Sequence, residues 1–169
     1  MKYILICAAL VLVAGTPASA NQQSWIPVGN SDMRWTFFKL YNVTLLTDDG
    51  QYDSGQFPQA LEIVYYRNIN KEDLLKATAD QWQKLGVPDN KITPWLSTLD
   101  GLWPDIRQND SLRIEVDANG DNLFLHNGQP IGGIEDREFS NSFLAIWLSP
   151  DTSRPAIRKK LIGGNAENV

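Results

Sequence analysis

Four polar side chains in two strand-like segments are the residues of this sequence best suited to hold a ligand. Arg34 and Tyr41 lie in the first of two runs rich in aromatic and β-branched residues, and Tyr65 and Arg67 lie in the second. An arginine can bind an anionic or phenolic group, and a tyrosine can line an apolar cleft while offering a hydroxyl. We therefore take these four as candidate ligand-binding residues and assign no catalytic residue.

The spacing of Arg34 and Tyr41 determines whether both side chains can line one site. Successive side chains of a strand alternate between the two faces of a sheet, so Arg34 and Tyr41, seven positions apart, face opposite sides of an unbroken strand. They share a cleft only if a bulge or a turn separates them. The six tryptophans are expected mainly in the core, and an aromatic cleft between sheet and helices is the alternative role for some of them.

Residue types for several other chemistries are scarce. His126 is the only histidine, so it has no partner for a metal site and is expected at the surface. The acidic segments 48–49 and 117–121 lack the twelve-residue pattern of a calcium loop, and the glycines lack the spacing of a phosphate loop. We expect neither a metal nor a cofactor.

The N-terminus has the organisation of a secretory signal peptide. Lys2 precedes an apolar run, and Ala18-Ser19-Ala20 forms a cleavage site with small residues. The run of about a dozen residues is shorter than the roughly 20 that span a bilayer. We predict cleavage of residues 1–20 and a single domain over residues 21–169, with a retained membrane anchor as the alternative.

The net charge and the cysteine content indicate the cellular compartment and the classes of partner. After removal of Lys2, 14 basic residues stand against 20 acidic ones, which gives a net charge of −6. This balance argues against nucleic acid and against anionic membrane surfaces as partners. Cys7, the only cysteine, leaves with the signal. An acidic, cysteine-free exported domain is typical of a bacterial periplasm, and we expect no stable membrane insertion.

The hydrophobic pattern predicts strands, two helices, further strands and two more helices. Strands are expected at 33–46, 60–67, 112–117, 122–126 and 130–134, the last three joined by Asn-Gly turns. The first helix runs from a cap at Asn70 to Gly86, and the second opens at Thr93-Pro94. This order favours an α+β fold in which helices cover one face of an antiparallel sheet.

The third helix has the clearest amphipathic pattern. An apolar stripe at helical spacing is formed by Phe139, Phe143, Ile146 and Trp147, and is widened by Leu144 and Leu148. Pro150 ends this helix, and Ser153 is the expected cap of the fourth one. The stripe requires an apolar surface beneath it, which the sheet would supply.

The ordered set of these segments resembles the chalcone isomerase family, in particular its bacterial exported members. The resemblance rests on FFKLYNVTLL, LEIVYYRNI, QWQKLGV, LWPDIRQNDSL, the meander with Asn-Gly turns, and FLAIWLSPDTSRPAIRKKL. It implies an open-faced β-sandwich, a large antiparallel sheet covered on one face by helices. Relatives with this fold either cyclise chalcones or bind fatty acids without catalysis.

The resemblance also implies positions for the family's catalytic residues, and this chain departs from them. Tyr41 stands at the place of a threonine, and Asn70, Asp73 and Ala77 stand where the enzymes have a tyrosine, a lysine and an asparagine. Ile146 replaces a hydroxyl residue, and Arg34 is offset from the family's arginine. Since loss of one oxyanion donor costs about a hundredfold or more in rate, efficient chalcone isomerase activity is not expected.

Three functions follow as hypotheses. The leading one is an exported, non-catalytic domain that binds a hydrophobic small molecule of the fatty-acid type between sheet and helices, with Arg34 or Arg67 pairing its carboxylate. The second is an isomerase or intramolecular lyase that acts on chalcone-like enones, with Arg34 stabilising an enolate or phenolate. The third is a partner-binding protein of the envelope without a pocket. The sequence leaves the oligomeric state open.

Overall fold

The computed structural model describes residues 24–163, so the expected signal peptide, residues 1–20, lies outside it. The described strands form one antiparallel sheet in chain order: β1 (Ile26–Trp35), β2 (Phe38–Thr47), β3 (Gln59–Tyr65), β4 (Ser111–Val116), β5 (Asn122–His126) and β6 (Gln129–Gly132). The described helices are α1 (Lys71–Lys84), α2 (Asp89–Leu102), α3 (Arg137–Leu148) and α4 (Pro155–Leu161). The predicted α+β fold, an open-faced antiparallel sheet with helices, is confirmed.

The expected single strand over residues 33–46 is wrong, because this segment contains a hairpin turn. The chain reverses at Thr36 and Phe37, and Trp35 pairs with Phe38 across the turn. Thr36 has a φ of 54°, a conformation that β-branched residues rarely adopt. The asparagine and glycine that usually signal a two-residue hairpin are absent here. A turn of this composition cannot be recognised from local sequence.

Buried side chains of neighbouring strands form rows on the covered face of the sheet. Val43 lies opposite Ile63, which in turn lies opposite Leu112. The next row consists of Leu45, Leu61, Ile114 and Phe124. Because side chains alternate along a strand, the residues between them, such as Glu62 and Arg113, point to the other face. The rows provide the apolar surface that the helices require.

Helix α3 lies on this surface with the predicted apolar stripe buried. Its N-cap, Asp136, accepts a hydrogen bond from the backbone N–H of Glu138. The buried stripe comprises Phe139, Phe143, Leu144, Ile146, Trp147 and Leu148. Burying one large apolar side chain contributes about 1.5 to 3 kcal/mol. The predicted packing of this helix is therefore confirmed, and α3 is a principal anchor of the helical layer.

Two tryptophans connect α1 and α2 to α3. The Trp82 indole donates to the Ser142 carbonyl at 3.0 Å, and the Trp95 indole donates to the Asp136 carboxylate at 3.0 Å. Their ring centroids lie 5.3 Å apart, and both rings meet Phe139 at steep angles. These two tryptophans belong to the core, as expected for most of the six.

Helix α1 begins as predicted, whereas helix α2 begins earlier than predicted. Asn70 caps α1 as predicted, since its side chain accepts from the Asp73 backbone N–H at 2.8 Å. Helix α2 begins at Asp89, four residues before the predicted start at Thr93, so Pro94 lies inside the helix. At this interior position proline lacks the N–H that would donate to the carbonyl of Asn90, so the helix loses one backbone hydrogen bond there.

The expected cap of α4 by Ser153 is wrong. The backbone N–H of Arg154 donates to the Thr152 hydroxyl at 3.2 Å. The Ser153 hydroxyl instead donates to the side chain of Gln81 on α1. The N-cap position of α4 is Arg154, which makes no side-chain cap hydrogen bond.

The remaining part of the sheet follows the sequence signals closely. The predicted three-strand meander is confirmed as β4, β5 and β6, with Asn127 and Gly128 at φ 51° and 77° in the second turn. Helix α4 packs against β1, where a Cβ on Gly29 would stand 2.2 Å from the Lys160 carbonyl oxygen. Only glycine permits this close approach.

Candidate ligand-binding cavity

The helical layer leaves a cavity above the ends of β2 and β3. Its volume is about 590 Å³, within the range of roughly 300 to 1,000 Å³ that is usual for small-molecule sites. The residues that line it are Met33, Trp35, Leu40, Tyr41, Ile63, Tyr65, Arg67, Asn68, Ile69, Asn70, Asp73, Leu74, Ala77, Thr78, Gln81, Trp103, Leu112, Phe143, Ile146, Trp147 and Arg154.

The floor of the cavity is a pair of tyrosines from the sheet. Tyr41 of β2 lies directly opposite Tyr65 of β3 in the strand register. Their rings meet edge-on with centroids 5.9 Å apart. Since Tyr65 is 3% exposed, its ring is fully inside the protein. Two residues that the sequence singled out separately therefore form one surface.

One wall of the cavity is a face of α1 with few bulky side chains. Asn70, Asp73, Ala77 and Gln81 follow each other at intervals of three or four residues, so they lie on one side of the helix and its cap. A short side chain at Ala77 leaves space that a large apolar residue would fill. The cavity thus results from the small and polar composition of this helix face.

The opposite wall comes from the apolar stripe of α3. Phe143, Ile146 and Trp147 line the cavity while also packing in the core. The Trp147 indole N–H donates to the Tyr41 hydroxyl oxygen at 3.3 Å. This bond occupies an acceptor position of Tyr41 and leaves its own O–H as a donor toward the cavity.

Burial keeps both tyrosine hydroxyls neutral. Removal from water raises the pKa of Tyr41 and that of Tyr65, since a buried phenolate is poorly solvated. No described residue forms a hydrogen bond with the Tyr65 hydroxyl. At neutral pH the floor therefore presents neutral hydroxyls that can donate to an oxygen of a ligand.

Two arginines supply positive charge to the cavity. Arg67, directly after β3, and Arg154, at the start of α4, both line it, and both are exposed to solvent. Arg154 and Tyr41 line the same cavity, and the charge of Arg154 acts to lower the pKa of Tyr41 against the larger effect of burial, which raises it. Arg67 instead lies over the Phe38 ring, 6.0 Å from its centroid.

Arg34, the other predicted arginine, does not line this cavity. It follows a shift in the strand register between Met33 and Arg34, and its guanidinium lies 3.9 Å from the Asp32 carboxylate. Asp32 also pairs with Lys39 at 2.6 Å and accepts from the Tyr66 hydroxyl at 3.0 Å. The structure thus brings together three of the four predicted residues and places Arg34 in a separate surface network.

Sequence reasoning did not identify Arg154 as a cavity residue. Its only local signals are the adjacent Pro155, which begins α4, and the preceding helix that carries Trp147. Neither signal predicts that the start of α4 returns to β2. The position depends on the packing of α4 against β1, which is a tertiary contact.

Other kinds of site find little support in residues 24–163. This part of the chain contains no group of three or more histidine, cysteine, aspartate or glutamate side chains placed to bind a metal ion. None of its helices is both long and apolar enough to cross a membrane. His126 is half-buried rather than fully exposed, and its Nε2 lies 3.1 Å from the Asp110 carboxylate.

The fold defines the class as an antiparallel sheet with one layer of helices and a cavity between them. A sequence profile of the chalcone isomerase-like family matches residues 29–163. The chain therefore belongs to the chalcone isomerase-like family, and the resemblance noted in the sequence is confirmed.

Two individual proteins illustrate this relationship. An uncharacterised protein of Haemophilus influenzae is 26% identical over 145 residues, which cover 85% of this chain and 71% of that protein. The crystal structure of a fatty-acid binding protein of Arabidopsis thaliana is similar with a TM-score of 0.64 and 13% identity. That comparison covers 88% of this chain and 91% of the plant protein, and at this identity it demonstrates a common fold.

Five of the positions that the family resemblance implied line the cavity, and the sixth, Arg34, does not. The five are Tyr41, Asn70, Asp73, Ala77 and Ile146. The location is thus the one expected for a family site, but the side chains differ in chemistry. A methyl group and a branched alkyl group at two of these positions cannot donate a hydrogen bond or transfer a proton.

Proposed function

We propose that this protein is a non-catalytic binding protein for a hydrophobic small molecule with a carboxylate, of the fatty-acid type. The observation that carries the proposal is a cavity whose lining is mostly apolar and includes Tyr41, Tyr65 and Arg154. Apolar walls with a few convergent polar groups are the usual composition of a small-molecule site.

The polar groups are suited to the carboxylate end of such a ligand. Arg154 offers charge and several N–H donors, and Tyr41 and Tyr65 offer neutral hydroxyls in the same cavity. Trp103, which also lines the cavity, has a buried indole N–H without an acceptor among the described residues. The hydrocarbon part would pack against Ile146 and its apolar neighbours.

The fold comparison supports the same class of ligand. The plant neighbour is a fatty-acid binding protein, and it covers nearly the whole described fold. The sequence supports the location: the signal-like N-terminus implies that binding takes place after export, in the periplasm. A cavity favours a small-molecule ligand over the alternative of an envelope protein that binds only partners.

An isomerase or intramolecular lyase is the second candidate. It is favoured by the presence of Arg154 and Tyr41 in one cavity, because such a pair could stabilise an enolate or phenolate. This candidate requires turnover, which absorbance spectroscopy with chalcones and related enones would detect. Absence of turnover by the purified mature protein at high concentration would eliminate it.

Calorimetric titration of delipidated mature protein with palmitate tests the binding function. Ala77→Trp fills the cavity from α1, and Lys76→Trp places the same side chain on an exposed neighbouring position as a control. We expect saturable binding by the wild type and by Lys76→Trp, and at least about a tenfold weaker affinity for Ala77→Trp. Absence of palmitate binding by the wild type, or equal binding by Ala77→Trp, would contradict the proposal.

A further inference from the structure

The hairpin between β1 and β2 exposes an aromatic tip, which we define as Trp35 to Phe38. The exposed fractions are 70% for Trp35, 95% for Phe37 and 64% for Phe38. Three neighbouring aromatic side chains in solvent are costly for a soluble protein, and such patches usually mark an interaction surface. The other exposed large apolar side chains of the described residues, Ile26 and Leu123, are less exposed, at 42% and 38%, and lie on different strands.

The geometry of the turn does not favour the residue types found in the aromatic tip. Thr36 adopts a φ of 54°, which a β-branched residue does at a cost. The same sheet uses Asn127 and Gly128 for its last hairpin, where both residues have positive φ, as tight hairpins favour. Residue types that are unfavourable for the local backbone conformation and do not stabilise the fold are expected at functional sites.

Basic residues surround the aromatic tip although the chain as a whole is acidic. Arg34 and Lys39 flank it in sequence, and Arg67 lies over the Phe38 ring at 6.0 Å. Asp32 pairs with Lys39 and lies near Arg34, so it offsets one of these three charges. Aromatic rings beside basic groups match the boundary of a phospholipid layer, where rings meet the acyl region and cations meet phosphates.

The aromatic tip is continuous with the mouth of the cavity. Trp35 is both a residue of the tip and a lining residue of the cavity. Arg67 likewise lines the cavity while it contacts Phe38. A surface that binds the tip therefore also faces the entrance.

The geometry points to a phospholipid surface as the partner of the aromatic tip. The rings of Trp35, Phe37 and Phe38 would enter the headgroup region, with the basic residues beside the phosphates and the cavity mouth against the lipid. An apolar ligand could then pass between membrane and cavity without crossing water. This docking is peripheral, and it goes beyond the proposed function because the tip can bind lipid whatever the cavity holds.

Vesicle co-sedimentation of delipidated mature protein tests this inference. The vesicles consist of phosphatidylethanolamine and phosphatidylglycerol, and no cavity ligand is added. The variants are Phe37→Ser and the triple variant Trp35→Ser, Phe37→Ser, Phe38→Ser. The control carries Ile26→Ser and Leu123→Ser, which remove exposed apolar side chains away from the tip. Circular dichroism confirms that each variant folds.

We expect the wild type and the control to sediment with the vesicles. The triple variant should lose at least about tenfold in partition coefficient, and Phe37→Ser an intermediate amount. Failure of the wild type to bind, or equal binding by the triple variant, would overturn the inference. A wild-type dimer in sedimentation velocity that the triple variant abolishes would also overturn it, since a second copy would then cover the tip. None of these outcomes would change the binding of palmitate by the wild-type protein in calorimetry, so the test of the proposed function stays independent.

Discussion

Replacing Arg154 by glutamine should weaken the binding of a carboxylate ligand while leaving the binding of the matching alcohol unchanged. The arginine lines the same cavity as Tyr41, where it can form a charge-assisted hydrogen bond with a ligand carboxylate. Such bonds contribute about 1.5 to 3 kcal/mol. Because Arg154 is exposed to solvent, we take the lower end, about 1.5 kcal/mol, which corresponds to roughly a tenfold loss of affinity.

The assay compares palmitate with hexadecanol by displacement of a fluorescent fatty acid. Arg34→Gln is the matched control, since it removes the same charge from a residue outside the cavity. Arg67→Gln measures the contribution of the other cavity arginine. The reasoning is refuted if Arg154→Gln binds palmitate as tightly as the wild type. It is refuted equally if palmitate and hexadecanol lose the same affinity, because the arginine would then have a structural role.

Three further predictions concern the packing and charge of the fold. Phe139→Ala should lower the free energy of unfolding in urea by about 3 to 5 kcal/mol, because a fully buried ring between α1, α2 and the sheet leaves a cavity; a loss below 1 kcal/mol would contradict this packing. Trp147→Phe should remove the hydrogen bond to Tyr41 and weaken palmitate binding a few-fold, with unfolding followed in parallel to separate the two effects. Hydrogen bonds from Lys39 and Asn42 lower the pKa of Asp32 to about 2, so its contribution to stability is complete above about pH 4 and is lost toward pH 2. Between about pH 4 and pH 2 the free energy of unfolding of the wild type should fall by on the order of 1 kcal/mol more than that of Asp32→Asn. An equal fall for the two proteins in urea unfolding would be evidence against the network.

Elements with strong periodicity could be predicted from the sequence. The stripe of α3 and the meander of β4 to β6 follow from spacing and from Asn-Gly turns, and the structure confirms both. The hairpin at Thr36 could not be predicted, because its residues disfavour the turn that they form. Tertiary pairing of β1 with β2 outweighs this local preference.

Apart from the positions that the family resemblance implied, the site could be predicted only where it depends on strands. Tyr41 and Tyr65 meet because strand register is a regular property of the sheet. Arg34 lies outside the cavity because it alternates along β1 with Met33 and Trp35, which both line it. Arg154 reaches the cavity through the packing of α4 on β1, which has no local sequence signal.

Native mass spectrometry of the mature protein, purified from its own host without lipid extraction, tests the binding function most directly. The account predicts a bound species whose added mass is that of an amphipathic carboxylic acid, lost on denaturation and absent from Ala77→Trp. It is contradicted if the wild type carries no such mass and also fails to take up added palmitate.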